Sequence, residues 1–161
     1  MVPSPDASVS PRRPARGRIL AIDYGRRRIG LALSDALGLT SQPLATLART
    51  NRRNDVRRLR EIARRHEVRR IVVGRPLHLD GSASEMGVEA ARFAAHIGKQ
   101  LSLPVELVDE RLSSWEAKQI LSAGEAASAK LRGEEKVDQI AAAVILRDYL
   151  ERPRKHKRAR D

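Results

Sequence analysis

Arg18-Ile19-Leu20-Ala21-Ile22-Asp23 and Arg70-Ile71-Val72-Val73-Gly74 are short, unbroken apolar runs. They show none of the polar alternation of a half-exposed strand, and this is the pattern of strands buried on both faces. Arg28-Ile29-Gly30-Leu31-Ala32-Leu33-Ser34 follows the first run after a tight turn and pairs with it as a hairpin. A third strand is expected around Leu44 to Thr50. Residues 52–66 switch to helical period, with Val56, Leu59, Ile62, Ala63 and His66 on one face and arginines on the other. His66 there reads as a helix-end residue rather than a ligand.

The second half alternates. Ser82 to Leu101 is expected as a helix, with Ser82 and Glu85 at capping-box spacing and Val88, Ala91, Ala95 and either Phe93 or Ile97 on its buried face. Pro104 to Glu110 reads as a strand ending on two acids. Ser113 and Glu116 repeat the capping-box spacing ahead of a further helix. Residues 124–134 lack periodicity and read as a mobile loop. Residues 135–151 form the last helix, apolar at Val137, Ile140, Ala141, Val144, Ile145 and Leu146. A β-meander followed by alternating helices and strands predicts an α/β fold: a mixed sheet of about five strands flanked by helices.

A chain of 161 residues suits one such domain. We place it at residues 18–151, between a disordered Pro-, Ser- and Arg-rich tail (1–17) and a basic disordered tail (152–161). Aromatic residues are 2% of the chain, so the core is built from Ala, Leu, Ile and Val, and base-stacking platforms for single strands are disfavoured. The absence of cysteine excludes disulfides, thiolate zinc sites and a Cys nucleophile. No apolar run approaches the ~20 residues of a membrane span, and the N-terminus lacks the apolar core of a secretory signal, so a cytoplasmic setting is expected. The formal net charge of +12 calls for a polyanionic partner. Much of it lies in the tails. Within the domain it concentrates in residues 49–70, where the arginines far outnumber Asp55, Glu61 and Glu67.

Acids interrupt the apolar pattern at element ends. Asp23 ends the first strand, Asp109 and Glu110 end the last, and Asp138 sits in the first turns of the final helix. Each has an ordinary explanation: a turn for Asp23, an ion pair with Arg28 or Arg111 for Glu110, the helix dipole for Asp138. Together they are more informative. Strand carboxyl ends gather along one edge of an α/β sheet, where ligands bind, and a crossing helix can add Asp138. Clustered carboxylates repel unless a cation neutralises them. An all-oxygen set favours Mg²⁺ or Mn²⁺, and a pair of such ions about 4 Å apart is a standard arrangement for phosphodiester cleavage. The basic helix would then hold the phosphate backbone.

Four blocks resemble the YqgF/RuvX family, in family order over roughly residues 18–151. They are Ala21-Ile22-Asp23-Tyr24-Gly25 with Arg28 to Asp35; Ile71-Val72-Val73-Gly74 with Pro76-Leu77 and Asp80-Gly81; Val108-Asp109-Glu110-Arg111-Leu112-Ser113-Ser114 with Glu116-Ala117; and Lys136-Val137-Asp138 with Ala141-Ala142 and Ile145-Leu146. The resemblance implies an RNase H-like fold akin to RuvC-type resolvases. It also implies a metal-dependent nuclease that matures the 5′ end of pre-16S rRNA in ribosome biogenesis, or a Holliday-junction resolvase. Asp23, Glu110 and Asp138 are then the metal-binding catalytic acids. Strand alternation puts Asp109 and Glu110 on opposite faces, so only one points into the site; Glu110 matches the motif acid. Glu135, one helical turn before Asp138, is a further candidate ligand. Arg28, Arg57, Arg58, Arg64, Arg65 and Arg75 are candidate nucleic-acid contacts. Arg75 and His78 depart from the family pattern, in a loop expected to border the substrate.

The expected partner is structured RNA (pre-16S rRNA, with ribosome-assembly intermediates) or branched DNA, bound by a monomer or a homodimer and without a membrane. A non-catalytic rRNA-binding assembly factor is the alternative of another class. A nucleotide-binding protein of the actin-like ATPase type shares the Asp-x-Gly turn, but that architecture needs two such domains.

Overall fold

The computed structural model describes residues 17–110 and 133–152. Strands β1 (Arg18–Asp23), β2 (Arg28–Ser34) and β3 (Ser41–Ala48) form the meander. Helix α1 (Arg52–Arg65), β4 (Val68–Pro76), α2 (Glu85–Leu101), β5 (Val105–Glu110) and α3 (Gly133–Glu151) follow. The sheet order is β3-β2-β1-β4-β5. β1 runs antiparallel to β2 and parallel to β4, and β4 runs parallel to β5. This is the mixed five-stranded sheet expected from the sequence. The proposed helix at Ser113, residues 124–132 of the expected 124–134 loop, Arg111 and nearly all of both tails lie outside the described residues; Gly133 and Glu134, expected to end that loop, instead open α3.

Both apolar runs occupy the middle of the sheet, where Leu20, Ala21, Ile22, Ile71, Val72 and Val73 are fully buried. Alternation sends their side chains into two separate cores. Leu20, Ile22, Ile71 and Val73 pack with Val56, Leu59, Phe93 and Ile97 beneath α1 and α2. Ala21, Val72 and Val108 pack with Ala142, Ile145 and Leu146 beneath α3. The face covered by α3 has small residues, Ala21 and Ala32, in the central strands, which lets the helix backbone come close.

Three local expectations are corrected. The third strand begins at Ser41, not near Leu44: Pro43 sits within it, tolerated because β3 is an edge strand. Helix α2 begins at Glu85 and is capped by Ser84, whose Oγ accepts the Gly87 N–H and donates to the Pro76 carbonyl. Ser82 instead closes a turn on Asp80. The buried face of α2 is Gly87, Ala90, Phe93, Ala94 and Ile97, whereas Val88 and Ala95 are exposed. In α1 the sequence period holds, with Asn51 as N-cap and His66 as C-cap.

Candidate active site

The carboxyl ends of the parallel strands β1, β4 and β5 form one edge, and Asp23 and Glu110 are the last residues of β1 and β5. Pairing sets Gly30, Asp23, Gly74 and Val108 side by side on adjacent strands. Their Cβ positions share the face covered by α3. Asp23 thus stands between two glycines, and the space their side chains would take is filled by the other acids. A Cβ on Gly30 would collide with the backbone carbonyl of Asp138. One on Gly74 would collide with Glu110 Oε2 and Ile145 Cδ1. The glycines are needed for this close approach of α3 and of Glu110 to the strand carrying Asp23.

Helix α3 is fastened along the sheet by hydroxyls of β3. Thr46 Oγ1 donates to the Glu135 carbonyl at 2.6 Å and Ser41 Oγ to the Ala143 carbonyl at 2.8 Å. Asp138 is oriented by Arg28, whose Nε donates to its Oδ2 at 2.7 Å. Burial, reinforced by the Asp138 charge, pushes the Asp23 carboxyl from its ordinary range up to about 7. The smaller of the two causes, the Asp138 charge, shows that the two acids lie within electrostatic reach of each other. The structure therefore brings Asp23 and Asp138 together, with Glu110 reaching in past Gly74. Among the described residues, no group of three or more acids or imidazoles stands as a ready metal cluster.

The remaining candidates divide by face. Asp109 points to the opposite side of β5 and binds Arg75 at 2.6 Å. Asp109 is thereby separated from Asp23, and the guanidinium expected to contact phosphate is held by a neighbouring carboxylate. Glu135 is exposed at the start of α3. Arg57, Arg58, Arg64 and Arg65 belong to α1, which lies behind the sheet from the acids. His78 lies in the loop after β4, its N–H bonded to the Ser82 carbonyl.

One bracket was not foreseen in the sequence. Arg49 donates to Tyr24 Oη, to the Gly25 carbonyl and to the buried carboxylate of Asp55, and its guanidinium stacks on the Tyr24 and Phe93 rings. It clamps the turn that immediately follows Asp23. The available signal was Asp55, an acid beside Val56 on the apolar stripe of α1, where an unpaired charge is costly.

The model of a family described as "RuvX: Holliday junction resolvase" matches residues 17–152. A protein of Koribacter versatilis (strain Ellin345) named "Putative pre-16S rRNA nuclease" is 50% identical over 136 residues, covering 84% of this chain and 88% of the relative. A relative of the same name from Syntrophus aciditrophicus (strain SB) is 44% identical over 134 residues, covering 83% and 88%. Among solved structures, the fowlpox virus Holliday junction resolvase superposes with a TM-score of 0.51 at 16% identity, over 83% of this chain and 98% of that one. The last likeness concerns the fold, which is RNase H-like as the sequence blocks implied.

Proposed function

This chain belongs to the RuvX family, and from that premise we propose that it is a divalent-metal-dependent nuclease maturing the 5′ end of pre-16S rRNA. The observation that carries the reading is Asp23, half-buried between two glycines at the strand edge with Asp138 beside it and its carboxyl pushed up to about 7. A carboxyl in that state binds either a proton or a cation. The all-oxygen donor set and the glycine-lined approach fit a hard ion, Mg²⁺ or Mn²⁺. Asp23 and Asp138 would hold it, with Glu110 as the third ligand. When bound, such an ion acidifies a water and neutralises charge at the scissile phosphate.

The chain's own residues set the conditions for that chemistry. Burial and the Asp138 charge favour the protonated form of Asp23 below about pH 7, and it is the ionised form that would hold a cation. Arg28 fixes the rotamer of Asp138 and brings positive charge to the approach path of a phosphate. Gly30 and Gly74 leave no side chain between Asp23 and its partners. The Arg49 bracket keeps the Tyr24–Gly25 turn from shifting the end of β1.

The family description favours a second substrate for the same acids, a four-way DNA junction. Cleavage of a 5′-extended 16S precursor fragment beside a synthetic junction, with Mg²⁺ or Mn²⁺, separates the two. RNA trimming that Asp23→Asn abolishes is the expected result. Junction cutting alone assigns the resolvase, and full activity in Asp23→Asn refutes the site.

A further inference from the structure

The arginine-rich helix does not face the acids. Asp23 and Glu110 point to the α3 side of the sheet, and α1 packs on the other side with Val56, Leu59 and Ala63 inward. Yet α1 starts at the acidic edge: the Arg49 N–H donates to the Arg27 carbonyl in the β1–β2 turn. It ends at the far edge, where Val68 pairs with Arg18 at the start of β1. Arginines mark this whole path. Arg26 and Arg27 are exposed at the turn, and Arg52, Arg53, Arg57 and Arg64 are exposed along the helix. At the far end the lining of a cavity of about 500 Å³ includes Arg60, Arg64 and Arg69 together with one acid, Glu67.

Stability explains only part of this track. Arg64 and Arg65 occupy the last turn of α1, where cations favour the helix dipole. Arg52 and Arg53 are its first two residues, where a positive charge opposes the dipole. Among the described residues neither forms an ion pair, whereas Arg26 pairs with Glu89 and Arg57 with Glu61. Such placement weakens the free helix and is repaid only when an anion arrives.

We propose that α1 is a nucleic-acid exosite: a basic track behind the sheet that binds the strand flanking the cleavage site, not the scissile phosphate. The choice of nucleic acid rests on the reading above. The dimensions give the ligand's length. Thirteen steps of about 1.5 Å from Arg52 to Arg65 span about 20 Å. At about 3.4 Å per nucleotide along one strand that is about six nucleotides beyond the edge. A substrate trimmed close to its cleavage site cannot reach the track.

The test is binding, read by fluorescence anisotropy against salt, with the full chain. Two labelled 16S precursor fragments serve as ligands, one with flanks of about ten nucleotides around the mature 5′ end and one with about two. The variant combines Arg52→Gln, Arg53→Gln, Arg57→Gln and Arg64→Gln. On the long fragment the slope of log K against log salt is expected to shrink by about 3, a loss of two to three decades in affinity at about 0.1 M salt. On the short fragment the change is expected to stay below about 1. An unchanged slope on the long fragment, or an equal loss on both, overturns the proposal. Arg52→Gln with Arg53→Gln alone, which relieves the dipole conflict, is expected to melt no lower than wild type while losing about half of that slope. Because the readout is binding, it stands or fails independently of whether Asp23 supports cleavage.

Discussion

Replacing Asp23 by Asn is expected to stabilise the protein by an amount that grows as pH rises from about 4 to 7 and is full above 7. The folded carboxyl titrates near 7 against an ordinary 3.8, driven first by burial and then by Asp138. The folded state therefore holds the proton more tightly than the unfolded one. Below about pH 4 both states are protonated and the group contributes nothing. Between pH 4 and 7 stability falls as pH rises, because folding requires a proton that the unfolded chain has released. Above 7 the loss is complete. Roughly three pH units at 1.36 kcal/mol each gives about 4 kcal/mol as the upper limit. Asn keeps the shape without the charge, so Asp23→Asn should match wild type near pH 4 and exceed it by up to about 4 kcal/mol at pH 8. At 2–4 °C per kcal/mol this is a rise of about 8–16 °C in Tm. Urea unfolding of both proteins in EDTA at several pH values measures the difference directly. A gap that does not vary with pH, or an Asp23→Asn protein weaker than wild type at pH 8, refutes the reasoning. Adding Mg²⁺ should raise wild type and leave Asp23→Asn unmoved, narrowing the gap.

Two further outcomes follow from the site's construction. Gly74→Ala inserts a methyl into Glu110 Oε2 and Ile145 Cδ1 and should cost about 1–3 kcal/mol in urea unfolding while abolishing cleavage; a fully active Gly74→Ala enzyme would remove Glu110 from the site. Arg49→Ala removes the counter-charge of the Asp55 carboxylate, which is 3% exposed and also accepts the Thr50 N–H, and should cost about 3–5 kcal/mol. Adding Asp55→Ala should recover part of that loss, and a cycle with zero coupling would show that the bracket is not a unit.

The acids were readable because each breaks a pattern. Asp23 ends an apolar run, Glu110 follows Asp109 in a strand whose alternation allows only one of them inward, and Asp138 intrudes on an apolar helix. Gly30 lies in the hairpin that the sequence pairs with Asp23's strand, whereas Gly74 ends a separate apolar run; only the pairing of β1 with β4 makes Gly74 a neighbour of Asp23. The α2 face was misread because a helix rich in alanine and glycine marks no stripe. Phe93 and Ile97 set it, and Val88 falls outside. The side of the sheet that a helix covers is set by how its connection crosses the sheet, so no residue of α1 announced that its arginines would sit behind the acids. That separation puts the acids and the arginines of α1 on opposite sides of a thin apolar sheet. Acids that would repel phosphate until a cation neutralises them gain little from further arginines among them beyond Arg28, since those would compete for the same carboxylates, as Arg28 is bound to Asp138. On the proposed reading, arginines on the opposite layer would attract the polyanion without that competition, and the shared edge at Tyr24–Arg28, clamped by Arg49, would be where a bound strand crosses.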